Sequence, residues 1–551
     1  MLTADFEKQL YPELHPAQIE QIRRCAGAEE AVKAGTILVE LGDRDFCFLV
    51  VLDGALDVLQ DEPLGERLIV RHLPGHFFGD THCLSGRSSL VRCRASQDSL
   101  ILRLSAEKLR KLVVVRSELS DLILYAFLNR RAALVKSNLS SLRLIGSRFS
   151  GDTHRIREFL TKNQQPFVWL DLEEHTSLND LLDTFEASPE DTPLLLCSKK
   201  AHRNPSNAEI ASWLGLDRLP TQEVHDVLVV GAGPAGLAAT VYAASEGLQV
   251  VTLDCKGPGG QAGTSSKIEN YLGFPAGISG QELADRAILQ AQKFGATLAS
   301  ARKALSLQCQ GTVYVVDLGN GTTVRTRALI VATGAHYRKL GMSELAQFEG
   351  RGVYYGATPM EGALCRQSQV VVVGGGNSAG QACVFLSTLA SKVHLLVRGA
   401  GLEATMSRYL IRRIEETENI QLHTHTEVER LRGGEHLEQA DIFHHPSQTR
   451  KTLEVAALFS MVGAVPNTDW LKDCLALDDK GFVLTGRDLT VLQLQRYGWN
   501  AGRPPFPYET SLPRVFAVGD VRSDSTKRVA TAVGEGSAAV HFLHRALADQ
   551  G

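Results

Sequence analysis

Residues 226–254 read DVLVVGAGPAGLAATVYAASEGLQVVTLD. A β-run over 227–230 leads into Gly231-x-Gly233-x-x-Gly236, then a helical stretch, then a second β-run ending on Asp254. Each glycine has its own task in such a unit. Gly231 permits the tight turn, Gly233 lets backbone approach a pyrophosphate, and Gly236 lets helix and strand pack closely. The amino end of the helix then faces the anion. Asp254 stands 18 residues beyond Gly236, where an acid hydrogen-bonds an adenosine ribose. Strand, glycines, helix and acid occur together and in order, which separates a nucleotide site from a glycine-rich turn.

The pattern recurs over 369–398, QVVVVGGGNSAGQACVFLSTLASKVHLLVR. Gly374-x-Gly376-x-x-Ala379 is the variant with alanine in third place, and the second strand ends on Arg398 instead of an acid. An acid repels a 2′-phosphate, whereas an arginine pairs with it. Arg408 is a second basic candidate. The first site therefore suits FAD or NAD and the second NADPH. Two dinucleotide folds in one chain imply hydride transfer between two cofactors, held in reach by a protein that excludes water. Strands and helices alternate throughout 224–551, the pattern of doubly wound parallel sheets.

The whole chain has 551 residues, room for about three or four domains. Its 58 Lys and Arg against 62 Asp and Glu argue against a general nucleic-acid binder. Aromatic residues, at 6%, leave little material for stacking bases. No apolar run reaches the length of a membrane span. The start, MLTADFEKQLYPELH, has neither the basic head nor the apolar core of a signal peptide, so the cytoplasm is the expected location. The closest of the ten cysteines, Cys83 and Cys93, are ten residues apart. There is no C-x-x-C and no zinc-type doublet, and no metal is expected. The cysteines read as reduced and mostly packed as small apolar residues.

From Asp226 onward the chain resembles low-molecular-weight thioredoxin reductase. Beyond the two fingerprints it carries Gly259-Gly260-Gln261, Glu269-Asn270-Tyr271, Ala332-Thr333-Gly334, Met461-Val462-Gly463 with Pro466-Asn467, and the final ETSLPRVFAVGDVR. The resemblance implies an FAD domain over 223–337 and 465–551, with an NADPH domain inserted over 338–464. It implies flavin contacts from Gly231, Gly233, Pro234, Ala235, Gly236, Asp254, Gly260, Gln261, Asn270, Thr333, Gly334, Gly519, Asp520, Arg528, Val529 and Ala530. NADPH contacts are expected from Gly374, Gly376, Asn377, Ser378, Ala379, Arg398 and Arg408. One departure outweighs these matches. The family's C-A-T-C-D dithiol segment reads Gly356-Ala357-Thr358-Pro359-Met360 here, so Gly356 and Pro359 replace both cysteines and the aspartate is absent. A thiolate is required to attack a disulfide. Cys365 and Cys255 remain as lone thiols and read as packed residues.

The N-terminal part has short apolar runs at 36–41, 46–52, 56–60, 67–73 and 100–104 separated by Gly and Asp turns, the spacing of a β jelly roll. One long helix is expected from Ser105, as N-cap, to about Ser140. Ten Lys and Arg against three acids over 101–150 read as a solvated helix face, with Arg130 and Arg131 exposed. Residues 1–140 resemble a cyclic-nucleotide-binding domain. The resemblance places Asp80 at the ribose and the backbone of Gly79 and Thr81 at the phosphate. It places Ser89 where the family has its phosphate-neutralising arginine, leaving Arg87, Arg92 or Arg94 to reach in from a shifted register and making cyclic-nucleotide binding doubtful.

Residues 141–222 resemble glutaredoxin. Strands are expected at 142–146, 167–172 and 194–197, helices at 152–162 and 178–185, and loops at 189–193 and 202–207. Ser150-Gly151-Asp152-Thr153 occupies the C-P-x-C place, with Ser150 and Thr153 reading as helix caps, and Thr192-Pro193 falls at the cis-proline place. The expected fold is thus a β jelly roll plus long helix, a small thioredoxin-like α/β unit, and two Rossmann-like domains. The expected function is an NADPH-dependent flavoprotein oxidoreductase, a homodimer, passing electrons to an acceptor that includes a protein among the candidates. A disulfide reductase using other cysteines and a flavin-based sensor remain as alternatives. The residues leave open whether the nicotinamide domain rotates against the flavin domain.

Overall fold

The structure is a computed structural model and describes residues 8–62, 65–136, 142–174, 187–197 and 200–549. The expected helix over 178–185 lies outside them. The jelly roll is two four-stranded antiparallel sheets. One runs Glu30–Val32, Ser99–Leu104, Phe48–Asp53, Phe77–Phe78; the other runs Ile37–Val39, Arg92–Ala95, Leu56–Glu62, Gly65–His72. All five expected runs form strands. Three more, at Glu30–Val32, Phe77–Phe78 and Arg92–Ala95, are too short to show an alternation. Phe48, Phe77 and Phe127 meet at the centre, with ring centroids 5.2 to 6.5 Å apart.

The single long helix is two helices, Ala106–Val115 and Ser117–Lys136, parted at Arg116, whose backbone is extended. Ser105 caps the first as expected, its Oγ accepting the Lys108 N–H at 3.4 Å. The break follows the β-branched run Val113-Val114-Val115 and lets both helices turn apolar faces, Leu109 and Leu112 on one and Leu119, Ile123 and Phe127 on the other, into the same core. Arg130 and Arg131 are not exposed; they are only 7% and 4% accessible. Arg130 donates to the carbonyls of Leu10, Gly79 and Phe77 at 2.8, 2.7 and 3.2 Å, and Arg131 donates to the Gln164 carbonyl. Charge counting along a helix does not see carbonyls that other parts of the chain offer.

The middle unit is a four-stranded sheet in the order Val168–Leu170, Leu142–Ile145, Leu194–Cys197, Lys200–Arg203. The first pair is parallel and the others antiparallel. The Thr192–Pro193 peptide is cis, at the expected place. Residues 202–207 are not a loop throughout: Lys200–Arg203 is a strand, and Ser206 and Glu209 form a capping box that starts helix Asn207–Leu214. Ser150 caps helix Gly151–Lys162, accepting from Thr153 N–H at 3.3 Å. Thr153 is not a cap: it is buried in the first turn, against Gly146.

In the second half, a six-strand path runs Thr297–Ala299, Val250–Leu253, His225–Val230, Thr323–Val331, Val313–Asp317, Ser306–Gln310, and Val515–Ala517 adds in parallel beside Thr323–Val331. A five-stranded parallel sheet, Val353–Tyr354, Ala457–Ser460, Gln369–Val373, Lys392–Leu396, Ile420–His423, is built around the second fingerprint. The two are joined by an antiparallel ribbon, Ala335–Tyr337 against Ala464–Pro466.

Candidate functional site

The first glycine loop is shaped by backbone contact. A Cβ on Gly231 would lie 2.2 Å from the Ala332 carbonyl oxygen, and one on Gly236 would lie 1.8 Å from the Gly231 carbonyl oxygen, so neither position admits a side chain. Helix Pro234–Ser245 begins directly after Gly233, with proline at its first position. A Cβ on Gly260 would lie 2.9 Å from the Gly233 Cα. The cleft between these loops is thus lined by bare backbone, at a helix amino end, as a pyrophosphate needs. Gly519, at φ +73°, lets the loop after strand Val515–Ala517 approach the same helix; its Cβ would lie 2.8 Å from the Ala235 Cβ. Asp520 follows it beside the cleft, and burial raises its carboxyl above the ordinary value, opposed by Lys527.

Asp254 has work within the protein. Its carboxylate accepts N–H groups of Ala232, Lys256 and Gly257, each at 2.9 Å, and so ties the glycine loop to the next turn. Thr333 and Gly334 are held by Asn467: Thr333 Oγ1 donates to its carbonyl at 2.9 Å, and its side-chain amide donates back to the Thr333 carbonyl at 2.8 Å. Gln261, Asn270, Arg528 and Ala530 are exposed and Val529 half-buried.

The second loop has the same build. Helix Asn377–Ser387 starts after Gly376, and Ala379 is buried. Two segments flank the loop. Thr405 Oγ1 donates to the Gly375 carbonyl at 2.7 Å, and the Asn377 side-chain oxygen accepts the Ser407 N–H at 2.7 Å. A Cβ on Gly375 would lie 3.2 Å from Val397. Arg398 and Arg408, each next to one of these segments, are exposed beside it. Gly374, at φ +143°, turns the chain against Met461.

Several residues escaped the sequence reading. Glu535, 5% accessible, accepts the Gly519 N–H at 2.7 Å and an Arg522 Nη2–H at 2.6 Å, fixing the turn that carries Asp520. Its signal was an isolated acid in a helix otherwise rich in alanine and glycine. The Tyr337 side chain interacts with Ser378 of the second loop and feels Asp520 of the first, bringing the two cradles together; burial raises its hydroxyl. No sequence signal marks it.

The segment in the dithiol place has a different build. Thr358 is an N-cap whose Oγ1 accepts the Met360 N–H at 3.1 Å, and Glu361 reaches back to the Thr358 N–H at 2.8 Å. Pro359 is the first residue of helix Pro359–Leu364, where its missing N–H costs nothing. The T-P-x-E spacing announces this capping box. Gly356 lies against Thr264. Cys365 is buried, and burial pushes its thiol up to about 12, so it holds no thiolate at neutral pH. Among the described residues no disulfide links any cysteine, and no helix is long and apolar enough to cross a membrane.

The profile of pyridine nucleotide-disulphide oxidoreductases matches residues 225–536. The chain belongs to that family. A second profile, the cyclic nucleotide-binding domain, matches residues 29–114. The thioredoxin reductase of Listeria monocytogenes is 31% identical over 319 residues, 58% of this chain and 92% of that protein. That of Mycolicibacterium smegmatis is 33% identical over 330 residues, 60% and 99%. Among solved structures, the Lactococcus lactis thioredoxin reductase in its FR conformation superposes with TM-score 0.53 at 25% identity, over 59% of this chain and 99% of that one. The T. acidophilum enzyme gives 0.52 at 28%, over 59% and 99%. The chain is thus a thioredoxin reductase-like NADPH-dependent flavoprotein oxidoreductase with an added N-terminal cyclic nucleotide-binding domain, and FAD and NADPH are its cofactors.

Proposed function

We propose that this oxidoreductase passes electrons from NADPH through the flavin to an acceptor with no dithiol relay. The observation that carries the reading is the segment 356–361: glycine and proline stand in the dithiol positions, and the chain there is a capped helix start. FAD, when bound, supplies the two-electron centre that NADPH reduces. The protein's part is placement. Bare backbone at Gly231, Gly233, Gly236 and Gly260 receives the FAD pyrophosphate, and Glu535 holds Gly519 and Asp520 at its side. Gly374, Gly376, Asn377, Ser378 and Ala379 receive the NADPH pyrophosphate, while Arg398 and Arg408 pair with the 2′-phosphate. The residues fit both groups, since each cleft lies at a helix amino end and is kept open by glycine.

The test is steady-state NADPH oxidation with quinone, ferricyanide, oxygen and thioredoxin as acceptors. The reading expects turnover with acceptors that need no thiol and none with thioredoxin disulfide. Thioredoxin reduction that is lost in Cys365→Ser or in Cys255→Ser would overturn it, because it would show a thiol relay. A second reading, regulation by the N-terminal domain, is favoured by one contact. Leu289 of helix Gly280–Lys293 sits in the jelly-roll core, and that helix starts against Ala262 of the flavin-side loop. Homodimerisation follows from the resemblance to the relatives.

A further inference from the structure

We propose that helix Gly151–Lys162 of the middle unit is a strut that clamps the two dinucleotide-binding domains in one orientation, and that the enzyme turns over without leaving it. The inference rests on the flavin-only reading, since a reductase without a dithiol has no second redox centre to visit.

A two-stranded ribbon, Ala335–Tyr337 with Ala464–Pro466, is the covalent join between the domains. Such a join alone is a hinge. The middle unit crosses it. At its amino end the helix meets the NADPH domain. Phe149 stacks on His436 with centroids 4.6 Å apart, and a Cβ on Gly350 would lie 3.1 Å from the Gly151 Cα. His154 Nε2 lies 3.4 Å from the Glu361 carboxylate, and the His154 and Tyr354 rings are 5.6 Å apart. At its carboxyl end the same helix meets the flavin domain. The Asn163 side-chain amide donates to the Lys256 carbonyl at 2.9 Å, and Lys256 Nζ lies 3.3 Å from Glu158, itself paired with Lys162 at 3.0 Å. A rigid 12-residue helix thus has one end on each domain. Arg413 of the NADPH domain also pairs directly with Glu269 of the flavin-side loop. Rotation about the ribbon would break one end of the strut or the other.

The strut's NADPH-domain contact is also the place where the family's dithiol stood: Glu361, which caps that segment, is the partner of His154. The thiol-less turn of the middle unit packs next to it, with Gly151 against Glu349 and Gly350.

The test is the double variant Gly151→Cys with Gly350→Cys in the full chain. The strut predicts that mild oxidation closes the new disulfide, by thiol count and gel mobility, in both the free and the NADP⁺-bound protein. Oxidised enzyme should then turn over within about twofold of reduced enzyme. A crosslink that forms in the free but not in the NADP⁺-bound protein, or a tenfold loss on oxidation that dithiothreitol restores, overturns it. Hydrogen exchange on Phe149→Ala with His154→Ala is the second measurement: the ribbon amides of 335–337 should exchange at least tenfold faster, and unchanged protection overturns the strut. Crosslinking and exchange read out without turnover, so a flavin that NADPH fails to reduce would sink the flavin-only reading and leave this result standing on its own.

Discussion

Glu535→Gln isolates the contribution of one buried charge to the flavin site. The carboxylate accepts from Gly519 N–H at 2.7 Å, from Arg522 Nη2 at 2.6 Å and from Arg522 Nε at 3.3 Å, with 5% of the acid and 17% of the arginine side chain accessible. Glutamine keeps the volume but has one acceptor oxygen, so its NH₂ must face another donor. The loss of a charge-assisted bond costs about 1.5–3 kcal/mol. An unpaired, largely buried guanidinium raises a full break to about 3–5 kcal/mol. A loss of about 3 kcal/mol in stability is expected. If half is expressed as displacement of Gly519 and Asp520, FAD affinity falls about tenfold, since 1.4 kcal/mol is a decade. The assay is flavin fluorescence on dilution and on a thermal ramp. Asp57→Asn is the control, because Asp57 pairs with Arg71 at 2.6 and 2.9 Å in the jelly roll, remote from the flavin. Wild-type FAD affinity in Glu535→Gln, or an equal FAD loss in Asp57→Asn, would refute the reasoning.

Three further outcomes are expected. Arg398→Ala and Arg408→Ala should each raise KM for NADPH about tenfold or more and leave NADH unchanged, one charge-assisted contact being worth about 1.5–3 kcal/mol; equal effects on both nucleotides would remove these residues from the 2′-phosphate. Burial holds the His82 imidazole down at about 3, so below pH 6.5 the unfolded chain takes up a proton that the folded chain refuses. Stability is full above pH 6.5 and falls by up to about 1.4 kcal/mol per pH unit down toward pH 3; denaturation midpoints against pH should flatten in His82→Gln, and an unchanged slope counts against it. Cys365, with its thiol pushed up to about 12, should resist maleimide in the folded protein, and Cys365→Ser should keep NADPH oxidation intact; a variant dead in turnover but still folded would make that thiol a participant.

The two glycine loops were legible because Gly231, Gly236 and Gly374 each face backbone within 3 Å that excludes a side chain, and that demand shows in sequence. The helix cap at Ser105 was legible in the same local way. What stayed hidden depends on partners far along the chain. Arg130 and Arg131 looked like solvated charges because their acceptors, the carbonyls of Leu10, Phe77, Gly79 and Gln164, carry no side-chain signal. The strut needs His154 and Glu361 to meet across 207 positions, and no period or spacing encodes that. The helix break at Arg116 has neither proline nor glycine to mark it; it follows from two faces seeking one core.

The central claim, a flavin working alone, is tested most directly by anaerobic titration of the purified holoprotein with NADPH, following flavin absorbance and counting electrons. The account predicts complete bleaching at one NADPH per flavin with no further uptake. Uptake of a second NADPH equivalent before bleaching is complete would reveal a second two-electron centre and contradict it.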